Sequence, residues 1–291
     1  MANYDYVILT DTTADLPQSF IDKYDIQIMS IPCVMDGETY TAENPIPMKK
    51  FYDAVRNGSL PTTSQANPDA CMAKYNEVID KYQQNVLYLA FSSGLSGSCG
   101  NAMLAASDLE EMRSDYKVTV IDTLAASMGQ GVLVYQACKK RDEGLSLEEL
   151  AKWVEDNKLN VVHSFTVEDL NHLHRGGRVS KTSAVIGTAL NIKPVLYVDT
   201  EGHLVNVDKV RGRKKSLLAL VDTMEKKMGS YKEMNDIVFI GHGDCLEDAE
   251  FVAGLVKEKF GIDSVIDYVG PTIGAHTGAG LMTLFFMGDI R

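Results

Sequence analysis

The chain has 291 residues, of which 45% are hydrophobic and 23% charged, and a formal net charge of −12. This is the composition of a globular protein with room for one large domain or two ordinary ones. The negative balance argues against a nucleic-acid partner, because neutralising phosphates needs surplus Lys and Arg.

Five cysteines (Cys33, Cys71, Cys99, Cys138 and Cys245) are dispersed and contain no C-x-x-C. They read as reduced thiols, not as a disulfide frame or a zinc site, and neither a metal nor a cofactor is expected. The first residues enter a strand-like run without a basic n-region or a long apolar core, so no signal peptide is expected. The most apolar tail segment, residues 281–287, is too short to span a bilayer. A cytoplasmic location is expected.

The run Tyr6-Val7-Ile8-Leu9 reads as a first strand, followed by Asp11-Thr12-Thr13-Ala14-Asp15-Leu16-Pro17. Asp15 is expected as an N-cap and Pro17 as the first residue of a short helix. A strand over 26–31 and a hairpin over 34–40, with Asp36-Gly37 at its turn, come next. A helix is expected over 48–56, then the hydroxyl-rich loop Pro61-Thr62-Thr63-Ser64-Gln65 and a helix over 69–82. An apolar strand over 86–90 runs into Phe91-Ser92-Ser93-Gly94-Leu95-Ser96-Gly97-Ser98, and a helix over 101–112 follows. Strand, Gly/Ser turn and helix together can aim free N–H groups and a positive helix end at an anion. A strand over 118–121 and helices over 128–141 and 147–157 complete an alternating pattern, which argues for a Rossmann-like parallel sheet with helices on both faces.

The second half reads differently. A strand over 161–165 leads to Leu170-Asn171-His172-Leu173-His174-Arg175-Gly176-Gly177-Arg178, and a helix is expected over 181–190. Strands over 192–198 and 204–210 flank Glu201-Gly202 and should pair antiparallel. Helix 214–228, strand 237–241, helix 246–259 and strand 265–269 follow. The glycine-rich segment 270–280 is expected as a loop before a final strand. The fold class is therefore α/β in two domains: residues 1–158, Rossmann-like, and 159–291, a second α/β domain with a mixed sheet.

Candidate chemistry falls in loops at strand ends, the edge where open α/β sheets bind ligands. Taken singly, each loop is also ordinary turn and capping chemistry. A serine hydrolase using Ser96 or Ser93 with His276, and Asp122 as the third member, is one alternative. The nucleophile-elbow pattern needs glycine two residues after the serine, however, and Ser98 stands there. No H-E-x-x-H, Cys/His pairing or phosphate-loop signature occurs. A small-anion or phosphosugar binder is a third reading. The basic run Lys209-Val210-Arg211-Gly212-Arg213-Lys214-Lys215 opens a helix, where positive charge opposes the macrodipole; it is either a solvated face or a contact for a negative partner.

Six motifs in order resemble the DegV family of bacterial fatty-acid-binding proteins, the lipid-carrying subunits of fatty acid kinase. They are Asp11-Thr12-Thr13-Ala14-Asp15-Leu16, Thr63-Ser64-Gln65, Ser92-Ser93-Gly94-Leu95-Ser96-Gly97, Arg175-Gly176-Gly177-Arg178-Val179-Ser180, Ile192-Lys193-Pro194, and Gly270-Pro271 with Gly274, His276, Thr277 and Gly278. The resemblance covers essentially the whole chain. It implies one long-chain fatty acid, such as palmitate, held between two domains. Its carboxylate would meet Thr63 and either Ser93 or Ser96, with His276 assisting and its chain in an apolar tunnel. Asp11, Thr12, Ser64, Ser92, Gly94, Arg175, Gly274 and Thr277 would belong to the supporting loops. The resemblance further implies no catalysis by this chain alone: a separate ATP-binding kinase would phosphorylate the acid and dock near Arg211 and Arg213, and transient contact with a membrane surface is left open. Three departures stand out: Ala66 where Pro is frequent, Ser98-Cys99-Gly100 where a Thr-Tyr-like ending is common, and Ala279 where Pro is usual. Each buried methylene contributes about 0.8 kcal/mol, so enclosing a palmitate tail could supply roughly 10 kcal/mol before entropic costs. The thirteen methionines could help line an adaptable tunnel.

Overall fold

A computed structural model describes residues 4–168, 170–180, 191–289 and 291. The helix expected over 181–190 lies outside the described residues. Strands and helices are numbered below in chain order among these.

The first sheet has the order β2-β1-β6-β7, built from β1 (Tyr6–Asp11), β2 (Gln27–Met29), β6 (Asn85–Ala90) and β7 (Val118–Asp122). All its pairings are parallel. β1 is buried along its whole length and β6 along all but its first residue. That explains why both read as continuous apolar runs, the mark of strands covered on two faces. Helices α1 (Gln18–Tyr24), α3 (Pro68–Tyr82), α4 (Ser98–Met112), α5 (Met128–Asp142) and α6 (Leu147–Asn157) flank it. Ser146 and Glu149 form a capping box that starts α6, satisfying two otherwise orphaned amide donors.

The second sheet is mixed, with the order β10-β9-β8-β13-β11-β12. Its members are β8 (Val161–Thr166), β9 (Ile192–Val198), β10 (Leu204–Arg211), β11 (Ile237–His242), β12 (Asp263–Tyr268) and β13 (Met282–Met287). β9 and β10 pair antiparallel across Glu201-Gly202, with a register shift between Asn206 and Asp208. Helices α8 (Arg213–Lys227) and α9 (Leu246–Phe260) cover one face. A third small sheet, β4-β3-β5, joins the hairpin strands β3 (Cys33–Met35) and β4 (Glu38–Tyr40) to β5 (Thr62–Thr63). α2 (Met48–Arg56) packs beside it through Phe51, Tyr52 and Val55.

The two large sheets share a core. α5 is buried on every residue from Met128 to Cys138, as expected of a helix enclosed by protein on all sides. One cluster through α5 joins Tyr6, Ile8 and Leu87 of the first sheet to Val161, Phe239 and Phe285 of the second. This helix packs between the sheets, and residues just beyond the carboxyl ends of β2, β6 and β7 line one cavity together with residues of the second sheet.

Two sequence expectations need correction. Asp15 does not cap α1; Pro17 holds that position without a side-chain cap. Asp15 instead lies in the left-handed region (φ 48°) after a 3₁₀ turn over Thr12–Ala14, where its carboxylate accepts from Ser127 and Gly270. The glycine-rich segment after β12 is not a loop throughout. Its Pro271–Thr277 portion is helix α10, with Pro at the first turn, where its missing N–H costs nothing.

Candidate functional site

A cavity of about 230 Å³ opens between the carboxyl edge of the first sheet and the inner face of the second. Its polar lining includes Thr63, Ser64, Ser96, Arg178 and His276, and its apolar lining includes Phe91, Leu173, Val198, Leu204, Leu281 and Phe285. At the polar end, Thr63 Oγ1 and His276 Nε2 lie 2.8 Å apart. Burial, and then the nearby Arg178 and Arg175 charges, lower the His276 pKa to about 4. The ring is therefore neutral at physiological pH. Its Nδ1 is buried without a partner among the described residues and faces Gly176, where an added Cβ would fall 2.1 Å away. Only glycine lets α7 (Asn171–Arg175) and the turn after it approach the ring this closely.

The serine turn after β6 is tied into the protein by its own hydroxyls. Ser92, fully buried, donates to the Gly202 carbonyl and accepts from the Gly94 amide. Ser96 accepts from the Ser98 amide and shares a hydrogen bond with the Ser98 hydroxyl. These bonds occupy several amides that an anion cradle would have used. Of the serines in this turn, Ser96 lines the cavity, together with Phe91, Leu95 and Gly97. Ser93 is exposed and outside the cavity lining, and its amide donates to Asp122. Thr63, Ser96 and His276 thus meet at one cavity, and Ser93 does not join them.

Ser96, Asp122 and His276 form no hydrolase relay among the described hydrogen bonds. Ser96 meets Ser98, His276 meets Thr63, and Asp122 Oδ1 accepts from Ser93 and Leu124 amides.

The supporting residues fall into place by contact. Asp11 is buried and accepts from Thr13, Tyr88 and the Phe91 amide, fixing the entry to the serine turn. Burial raises its pKa, with these hydrogen bonds opposing. Thr12 Oγ1 accepts from the Ile31 amide. Ser64 and Thr277 line the cavity, and the Thr277 hydroxyl donates to the Ile273 carbonyl one turn back. Gly274 is buried within α10. Arg175 reaches His172 and the Ala275 carbonyl and lies outside the lining. Of the two docking candidates, Arg211 is exposed, while Arg213 is ion-paired with Asp248. Among the described residues no group of three or more His, Cys, Asp or Glu side chains could hold a metal ion, and no helix is long and apolar enough to cross a membrane.

Two lining residues were not among the expected carboxylate contacts. Arg178 directs its guanidinium at the carbonyls of Leu95 and Gly176, and no carboxylate pairs with it among the described ion pairs. Burial lowers its pKa, the direction expected for an uncompensated cation. Gly177, at φ 74°, reverses the chain so that Arg178 returns to the cavity while Arg175 stays outside. His163 is 1% exposed. Its Nδ1 lies 3.1 Å from the Val161 carbonyl and its Nε2 accepts the Ala126 amide, so the ring is held neutral, its pKa lowered well below the usual value by burial. The alternation Val161, His163, Phe165 on one face of β8 was the available signal.

The architecture is that of an α/β protein with a Rossmann-like sheet, a mixed sheet and a polar-mouthed cleft between them. The DegV family model, described as an uncharacterised protein family, matches residues 5–289. A DegV domain-containing protein of Clostridium perfringens is 43% identical over 289 residues, covering 98% of each chain. The crystal structure of DegV, a fatty-acid-binding protein from Bacillus subtilis, is 28% identical with a TM-score of 0.84, covering 98% of this chain and 100% of that one. A fatty-acid-binding DegV family protein of Streptococcus agalactiae is 30% identical with a TM-score of 0.80, covering 98% and 99%. The chain belongs to the DegV family.

Proposed function

We propose that this protein binds one long-chain fatty acid in the inter-sheet cavity. The carboxylate would lie among Thr63, Ser96, His276 and Arg178, with the tail against Phe165, Leu281 and Phe285. The observation that carries this reading is the half-buried Arg178 cation, which no carboxylate among the described residues pairs with, at the mouth of a cavity with an apolar interior. Such a combination suits a singly charged amphiphile. Neutral hydroxyls and a neutral imidazole supply directed hydrogen bonds, and burial of the tail supplies most of the affinity. The fatty-acid binding of the Bacillus subtilis and Streptococcus agalactiae relatives supports the same ligand class.

On this reading the protein is a cytoplasmic carrier that catalyses nothing alone and presents the acid to a separate ATP-dependent kinase. Exposed Arg211 is the candidate contact, and the two-domain division at residue 158 puts the ligand between the domains. The ligand contact is tested by carbon-13 NMR of carboxyl-labelled palmitate. A bound carboxyl resonance that moves with Ser96→Ala and stays with Ser93→Ala is expected. A resonance indifferent to Ser96 and sensitive to Ser93 would overturn the assignment. The kinase contact is tested by copurification, which Arg211→Glu should abolish while leaving lipid bound.

A further inference from the structure

A second cavity, of about 550 Å³, lies beside the first. The two share two lining residues, Ile31 and Thr272. Both are buried, at 5% and 7% exposure. The Thr272 hydroxyl donates to the Ile31 carbonyl at 2.9 Å, and the Ile31 amide donates to Thr12 Oγ1 at 3.0 Å. The partition at these two residues is tied through the Ile31 backbone, and beside it the Ser127 hydroxyl of the first cavity donates to Asp15 of the second. Behind it, Ile28, Ile46, Met48 and Pro271 give the second cavity an apolar wall.

We propose that Ile31 and Thr272 set the longest acyl chain this protein accepts, by closing the first cavity off from the second. This rests on the fatty-acid reading above. An acid longer than the first cavity leaves its last methylenes without apolar cover. Ile31 is β-branched and stiff about χ1, so it does not fold aside as an unbranched Met can. Because the hydrogen bonds run to its main chain, Ile31→Ala removes bulk from the wall and leaves the backbone anchor. The tail then gains access to Ile28 and Ile46, with about a fourfold gain in affinity for each added methylene that finds cover, the equivalent of about 0.8 kcal/mol.

The test is competition among myristic, palmitic, stearic, arachidic and behenic acids, read by native mass spectrometry of the full chain. Ile31→Ala, and more strongly Ile31→Ala with Thr272→Ala, should shift the bound distribution toward longer acids. Ala42 lines only the second cavity, on its exposed rim. Adding Ala42→Trp to Ile31→Ala should fill the annexed space and return the distribution to the original lengths. Should Ile31→Ala fail to fold, Ile31→Val is expected to give a smaller shift of the same sign. Folded, lipid-loaded variants with an unchanged distribution would overturn the role of the wall. So would Ala42→Trp alone shortening the preference, since the tail would then already occupy the second cavity. Wild-type protein that takes up no acid at all would instead overturn the fatty-acid reading on which this rests.

Discussion

Replacing Thr63 with Val removes one hydroxyl and keeps the shape of the side chain. Thr63 sits in β5 opposite Cys33, and Val suits a strand at least as well. The loss is therefore confined to the hydrogen bond with His276 Nε2. Since Nδ1 already lacks a partner among the described residues, both ring nitrogens would be left unsatisfied in a largely buried ring. An unsatisfied buried polar group costs about 1–3 kcal/mol, which for a chain of this size lowers Tm by roughly 2–10 °C. The lipid-bound protein should lose a further hydrogen bond to the carboxylate, weakening retention by about ten- to a hundredfold. Thermal unfolding of delipidated and palmitate-loaded protein, with palmitate exchange kinetics, measures both effects. Thr63→Ser keeps the hydroxyl and should stay near wild type. Thr63→Val with unchanged Tm and exchange would refute the pairing of hydroxyl and imidazole as a unit of the site.

Other consequences follow from charge and burial. His276 has a folded pKa of about 4 against an ordinary 6.5, so its contribution is intact above pH 6.5 and is lost as pH falls toward 4, by up to about 3 kcal/mol. His276→Gln should flatten the stability profile across that window in urea titrations. Asp15 behaves oppositely: burial raises its pKa to about 7, although an edge of the residue stays open to the second cavity. Stability tied to its protonated form is therefore present below the ordinary carboxylate range and declines as pH rises through 7. Asp15→Asn should remove that decline, as read from Tm measured from pH 4 to 8. Arg178→Met keeps much of the side-chain length and loses the charge. It should weaken fatty-acid retention by about tenfold or more and leave binding of an uncharged fatty alcohol less affected; equal loss for acid and alcohol would show that Arg178 acts only through packing.

Much of the scaffold was legible because its signals were local. The apolar runs of β1, β6 and β7 announce a buried parallel sheet, and Glu201-Gly202 marks the β9–β10 turn. Helix α10 was missed because Gly-Pro-Thr-Ile-Gly-Ala-His-Thr-Gly carries loop composition, while tertiary packing of Thr272, Ala275 and Thr277 stabilises the helix. The site divides in the same manner. Thr63 and His276 were named from sequence, but their contact joins residues 213 positions apart, beyond the reach of any spacing argument. Ser93 and Ser96 looked alike until Ser92 anchored the turn to Gly202 and put Ser93 outward. Arg175 and Arg178 looked alike until the positive φ of Gly177 sent them to different environments.

The central claim is that the cavity mouth holds a fatty-acid carboxylate through Thr63, Ser96 and His276. Native mass spectrometry of the purified protein tests it most directly. The wild-type chain should carry one long-chain fatty acid, and Thr63→Ala combined with Ser96→Ala should lose it while remaining folded. A wild-type protein that stays empty with fatty acid supplied, or a double variant that holds its lipid as tightly as wild type, would contradict the account.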